Sequence, residues 1–292
     1  MYAIKTEKLT KYYGKHRGIT DVDLSVEMGD FFGFIGPNGA GKSTAIRTLL
    51  GLISASSGKA EVLGIDVNKN TTEILKNVGY LPSDTEFYSG MRVKDIISFS
   101  AHLRGKDCKK EADELCERFD LDPSRKVDEL SLGNRKKVGI VCALQHKPSL
   151  YVLDEPTSGL DPLIQREFYS VLKERNEEGA TVFLSSHILS EIGRYCKHAA
   201  IIREGRILAC DSVEKLGNTG VKRVTLRGFC GELGLLHVKD VKRENDTVNF
   251  LYGGEPSSLL KELSDLEFKD INITDPDLEE IFMHYYVKEE EK

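Results

Sequence analysis

Gly36-Pro37-Asn38-Gly39-Ala40-Gly41-Lys42-Ser43-Thr44 joins flexible backbone, one ammonium and two hydroxyls in a single short run. It lies between an apolar stretch, Phe31 to Ile35, and a helix-like stretch, Ala45 to Leu50. A strand that ends in glycines and opens a helix leaves inward-pointing amides, here those of Gly39 to Ser43, and such a nest binds anions. Lys42 is predicted to reach the β- and γ-phosphates of a nucleotide, and the Ser43 hydroxyl to ligate Mg²⁺. A second group lies far along the chain, where Leu150-Tyr151-Val152-Leu153 runs into Asp154-Glu155. Parallel strands end at one sheet edge, so Asp154 is placed to hold the metal at that loop. Glu155 follows it and is placed to orient, or take a proton from, water attacking the γ-phosphate.

The elements that must position these groups are legible in outline. Tyr2 to Leu9 alternates as a half-buried strand, with Ala3, Lys5 and Glu7 opposed to Ile4, Thr6 and Leu9, and a turn is expected at Lys11 to Lys15. Ile19 to Val26 reads as a second strand, with Val22, Leu24 and Val26 on one face, and Lys59 to Leu63 as a further short one. Thr71 to Asn77 reads as a helix and Val78 to Pro82 as a strand. From Val93 to Leu144 apolar residues recur at helical spacing, including Ile96, Ile97, Phe99 and Leu103, then Leu115, Cys116 and Phe119, so a helical insert is expected at about 90–148. Continuous apolar runs at Leu150 to Leu153 and Thr181 to Leu184, separated by a helix at Ile164 to Arg175, indicate buried parallel strands with a crossover. The predicted fold class is α/β: a phosphate-loop core with an antiparallel β subdomain and the helical insert over residues 1–215. A small α+β domain follows at 216–292, entered through a linker at Val213 to Gly220. In it, strands are expected at Val221 to Leu226, Val248 to Tyr252 and Phe268 to Ile273, and helices at Pro256 to Leu263 and Pro276 to Tyr286.

Composition narrows the classes. The 292 residues are 40% hydrophobic, enough for real cores. No apolar run approaches the roughly 18 residues that cross a bilayer, and no basic-then-apolar start suggests a signal peptide, so a cytoplasmic location is expected. Six cysteines with no C-x-x-C spacing point to reduced packing residues rather than a zinc site or disulfide framework. A net charge of -6 argues against a protein driven onto nucleic acid by counterion release. Arg135, Lys136 and Lys137 are expected at the solvated or phosphate-proximal start of a helix.

Gly36 to Thr44, Leu130-Ser131-Leu132-Gly133-Asn134, Leu150 to Glu155, Ser158 to Asp161 and His187 stand in an order that resembles an ATP-binding subunit of an ABC transporter. The likeness covers about residues 3–215. It implies an ATPase that uses ATP and Mg²⁺, in which two such domains face head to tail and close over two nucleotides. By the same likeness Tyr13 stacks on adenine, with Tyr12 beside it as the alternative, and Ser131 and Gly133 contact the γ-phosphate from the opposite subunit. Asp161 belongs to the loop bridging the two sites, and His187 holds the γ-phosphate and the attacking water. The implied partners are membrane-spanning permease subunits and a second copy or homologue, with no nucleic acid expected. The implied location is the inner face of the cell membrane, through those partners.

Two departures from the family pattern stand out. Leu132 and Asn134 replace a glycine and a glutamine of the usual signature, and Ser83 stands where a glutamine is usual after Tyr80-Leu81-Pro82. Water or Asp84 is expected to complete the metal shell there. Tyr-Leu-Pro and the ending Asp277 to Phe282 are similar to a subgroup serving peptide-antibiotic and drug exporters with separate membrane subunits. Two alternatives remain open at this point. One is an ABC ATPase acting in translation or DNA repair; the other is a nucleotide switch or small-molecule kinase, although Asn68-Lys69-Asn70-Thr71 lacks the aspartate of a guanine reader.

Overall fold

The computed structural model describes residues 1–217, 220–231, 233–264 and 266–275. It divides into two compact units, Met1–Asp211 and Ser212–Lys292.

In the first unit β1 (Tyr2–Tyr13), β2 (His16–Glu27), β4 (Ser57–Val62) and β5 (Ile65–Asp66) form an antiparallel sheet in the order β2-β1-β4-β5. β1 continues through Tyr13, so the expected turn shrinks to the residues between the two strands. Ala3 is buried beside Ile4 instead of facing outward, because a register shift between Tyr2 and Ile4 breaks the alternation. The second sheet has the order β10-β9-β3-β8-β7-β6. Its strands are β3 (Phe31–Ile35), β6 (Val78–Leu81), β7 (Leu150–Asp154), β8 (Thr181–Ser186), β9 (His198–Arg203) and β10 (Arg206–Ser212). β6, β7, β8, β3 and β9 pair in parallel. β3, β7 and β8 are buried along their whole lengths, as strands covered on both faces must be, which is why they read as unbroken apolar runs.

Helices α1 (Lys42–Leu49), α2 (Thr71–Asn77), α6 (Pro162–Glu177) and α7 (Leu189–Tyr195) connect the strands. The insert consists of α3 (Val93–Leu103), α4 (Lys109–Arg118), a 3₁₀ turn at Val127–Glu129 and α5 (Leu132–Leu144). Arg118 forks onto Glu174 at 2.7 Å and reaches Glu167, tying α4 to α6. Phe99 and Leu103, placed by periodicity on the packed face of α3, are exposed.

The second unit begins with α8 (Val213–Gly217), where a linker is expected from sequence. β11 (Lys222–Arg227), β12 (Val238–Glu244), β13 (Thr247–Tyr252) and β14 (Asp270–Thr274) form an antiparallel sheet in the order β12-β13-β11-β14. α9 (Pro256–Ser264) closes one face, packing Leu259 and Leu263 onto Val224, Leu226, Val248, Phe250 and Tyr252. The predicted helix over 276–286 lies outside the described residues. No cysteine is in a disulfide; Cys210 and Cys230 are exposed, so the packing role fits only the other four.

Candidate functional site

β3 ends at Ile35 and α1 begins at Lys42, so residues 36–41 turn the chain at the edge where β7 and β8 also end. Gly36 must be glycine, since a Cβ there would collide with the Ile202 carbonyl oxygen of β9. Gly41 caps α1 at a φ of 105°, a conformation other residues rarely adopt. The loop is buttressed: Gly205 donates its N–H to Ala40 O at 2.8 Å, and Thr20 donates to Gly205 O at 2.7 Å.

Lys42 is buried; its ammonium donates to Gly36 O at 2.6 Å and Pro37 O at 3.1 Å and is ion-paired with Glu155 Oε1 at 3.1 Å. The other Glu155 oxygen, Oε2, lies 2.6 Å from His187 Nδ1. Thus Glu155 spans the ammonium of the glycine-rich loop and the imidazole after β8. Its own backbone sits at a φ of 49°, in the left-handed region, and is held there by Glu155 N–H donating to Ser185 O at 3.2 Å and to Ser185 Oγ at 3.2 Å. Left-handed backbone at a non-glycine costs of order 1 kcal/mol or more and persists where the surroundings fix it.

Asp154 is fully buried at the end of β7. Its Oδ1 accepts from Ser185 Oγ at 2.6 Å, while Oδ2 has no hydrogen-bond partner among the described residues. α1, which carries Ser43 in its first turn, packs against β7. An orphaned buried carboxylate oxygen on β7 and a hydroxyl on the helix packed against that strand are the kinds of hard ligand Mg²⁺ takes. Because no cluster of three or more acidic, histidine or cysteine residues exists among the described residues, the remaining ligands would be phosphate and water.

Tyr13 is exposed, with Lys11 Nζ 5.4 Å from its ring centre. A Cβ built on Gly18 would stand 2.8 Å from the Thr44 methyl and 3.1 Å from the Tyr13 ring, so Gly18 is the gap that brings the tyrosine to the start of α1. Ser131 caps α5, accepting from Asn134 N–H at 3.3 Å. A Cβ on Gly133 would lie 2.8 Å from Gly159 O, so the 131–133 turn abuts the 158–161 turn. Asp161 caps α6, its Oδ1 accepting from Leu163 and Ile164 N–H at 3.1 and 3.0 Å. Loop 36–44, Asp154, Glu155 and His187 are therefore brought together, and Tyr13 is adjacent. Ser131, Gly133 and Asp161 form a separate surface with no hydrogen bond to that loop among the described residues.

Of the basic trio only Arg135 is exposed; Lys136 and Lys137 are buried, which corrects the solvated half of the expectation. Sequence reasoning also passed over Ser185, Gly18 and Gly205. A pair of hydroxyls, Ser185-Ser186, closing an otherwise apolar strand was the available signal for the first. Nothing local marks the two glycines, whose partners lie far away in the chain.

A strand, a glycine turn and a buried lysine at a helix start, opposed by paired acidic residues on a parallel strand, define a phosphate-loop nucleoside triphosphatase. Residues 19–158 match the model of the ABC transporter family. The bacitracin transport ATP-binding protein BcrA of Bacillus licheniformis is 42% identical over 211 residues, covering 70% of this chain and 68% of that protein. The linearmycin resistance ATP-binding protein LnrL of Bacillus subtilis is 29% identical over 96% of this chain and 97% of its own length. Among solved structures, an ATP-binding subunit of an ABC transporter superposes with a TM-score of 0.69 at 29% identity, over 73% of this chain and 91% of that one. A dimeric cassette bound to ADP and phosphate shares the fold, with a TM-score of 0.66 at 23% identity over 72% and 98% of the two chains. The chain belongs to the ABC transporter family of ATP-binding subunits, and it is an ATPase.

Proposed function

We propose that this chain powers export of a peptide antibiotic or similar drug through separate membrane-spanning subunits, by ATP-driven closure of two ATP-binding subunits. The observation that carries the hydrolytic half is Glu155 spanning Lys42 and His187. In the closed pair, Lys42 and the amides of Gly39 to Ser43 bind the phosphates, Ser43 and Asp154 would hold Mg²⁺, and Glu155 with His187 aligns the attacking water. Bound Mg²⁺ supplies charge neutralisation at the β- and γ-phosphates. Tyr13 stacks on adenine, and Ser131 and Gly133 cover the γ-phosphate of the opposite subunit, with Asp161 between the two sites. The close approach of Gly133 to Gly159 supports this, because it sets the Ser131 and Asp161 turns side by side on one surface that a second subunit can face.

The bacitracin and linearmycin relatives support the substrate class. Exposed Tyr88, on the segment after β6, and exposed Phe99 and Leu103 on α3 suit contact with a membrane subunit. No helix among the described residues is long and apolar enough to cross a membrane, so attachment to the inner face comes through those subunits. The division at about 215 and the insert at 90–148 follow this reading, with the insert as the coupling element. Affinity purification of the full chain from its native membranes tests it: a polytopic membrane protein should co-purify in fixed ratio. Recovery with ribosomes or DNA instead would overturn it.

A further inference from the structure

Lys136 lies on the second turn of α5 with 3% of its surface exposed. Its Nζ donates to Ser83 O at 2.8 Å and Pro82 O at 3.1 Å, and no carboxylate pairs with it among the described residues. A buried ammonium without a paired anion is costly, and the neighbouring buried positions Val138, Ile140 and Val141 are apolar. Packing alone would be served better by methionine or leucine. Burial holds the Lys136 ammonium down, to about 8, against the opposing pull of Asp154, Asp84 and Glu155, which places it in the electrostatic field of the hydrolytic pair.

One turn on, the helix lies flush against the same segment: a Cβ on Gly139 would stand 2.7 Å from the Thr85 methyl and 2.9 Å from Leu81 Cδ1. The carbonyls of Pro82 and Ser83 fall just past the end of β6, beyond its ladder with β7, and Lys136 supplies their donors.

We propose that Lys136 is a positioning residue for ATP hydrolysis: it fastens the 82–85 segment to α5, so that the Ser131 turn and the loop leaving β6 move as one body beside Asp154. The kinetic consequence rests on the closure reading above, whereas the tie itself is visible without nucleotide.

Hydrogen exchange and turnover on the full chain test it, using Lys136→Met, which keeps the stem and removes the donors, Lys136→Gln, which restores an amide donor, and Lys137→Met. Lys137 is the neighbouring buried lysine, whose Nζ points instead to Asp120 O at 3.5 Å. In Lys136→Met, amides of 83–86 should exchange about tenfold faster while those of β7 and α6 keep their rates. Turnover at saturating ATP should fall about tenfold with ATP affinity within about threefold of the parent. Lys136→Gln should recover part of both, and Lys137→Met should leave 83–86 unchanged. Unchanged exchange at 83–86 in Lys136→Met, or acceleration spread equally through β7, α5 and α6, would overturn the proposal. If Lys136→Met fails to fold, Lys136→Gln against the parent carries the same comparison. Faster exchange at 83–86 in a protein whose parent shows no ATP-driven association would sustain the tie and defeat the closure reading alone.

Discussion

Lys42 Nζ and Glu155 Oε1 are ion-paired at 3.1 Å across the mouth of the glycine-rich loop, both largely withdrawn from solvent. The residue proposed to bind phosphate is thereby held by the residue proposed to act on water. On the proposed function phosphate oxygens and the Glu155 carboxylate compete for one ammonium, so nucleotide arrival should loosen the Lys42–Glu155 pair while Glu155 keeps its contact with His187.

Removing the charge of Glu155 separates those roles. Glu155→Gln keeps the shape but neither accepts a proton nor competes strongly for Lys42. Turnover is expected to fall by about 10²- to 10⁴-fold, while ATP affinity stays level or tightens and an ATP-bound dimer accumulates. Steady-state phosphate release and light scattering with ATP read the two effects. Hydrolysis at the parent rate would remove Glu155 from the mechanism.

Lys42→Ala deletes the ammonium itself. Charge-assisted contacts of this kind contribute about 1.5–3 kcal/mol, so ATP affinity should weaken by roughly 10- to 150-fold in a calorimetric titration. The substitution also leaves Gly36 O and Pro37 O without their donor and Glu155 without its cation, so some loosening of loop 36–41 accompanies it. Undiminished affinity would mean that phosphate binds elsewhere.

Ser185 works from behind the acidic pair. Its hydroxyl donates to Asp154 Oδ1 and accepts from Glu155 N–H, and it is fully buried. Ser185→Ala leaves a buried carboxylate oxygen unsatisfied and loosens the strained Glu155 backbone, costing about 1–3 kcal/mol of stability. Turnover should fall as well, with nucleotide affinity nearly intact because Lys42 is untouched. A variant matching the parent in both thermal transition and turnover would show that Asp154 and Glu155 need no such support.

How far these relationships were legible depends on whether their cause is local. Residues 36–44 and 150–155 announce themselves because a glycine turn and an apolar strand are short-range patterns, and the parallel order of β3, β7 and β8 follows from burial on both faces. Helical periodicity located α3, but the exposure of Phe99 and Leu103 depends on which partners cover that face, and spacing carries no such information. Lys136 and Lys137 misled for a related reason. A run of cations reads as solvated, and only the tertiary approach of residues 81–85 and Asp120 to α5 provides acceptors that hold the two lysines inside. The contact of Gly133 with Gly159 was equally hidden, since it joins turns belonging to different parts of the fold.

His146 gives the chain a defined acid sensitivity. The ring is buried after α5, its Nε2 lying 3.1 Å from Arg104 Nε and 3.2 Å from Val78 O, so that it accepts from the guanidinium in one neutral tautomer and donates to the carbonyl in the other. Burial, reinforced by the adjacent Arg104 guanidinium, lowers its pKa to about 3. The unfolded chain protonates this histidine near its ordinary value of about 6.5, so between there and about 3 the unfolded state binds the extra proton. Stability must then fall as pH drops through that window, by up to about 1.4 kcal/mol per pH unit, and be unaffected by this group above it. His146→Gln keeps an acceptor for Arg104 and removes the titration. The stability difference between parent and variant should be constant above about pH 7 and shift steadily in favour of the variant from about pH 6 downward. Chemical unfolding at a series of pH values measures that difference, in which the contributions of every shared carboxylate cancel; a pH-independent gap would show that the ring is not held neutral.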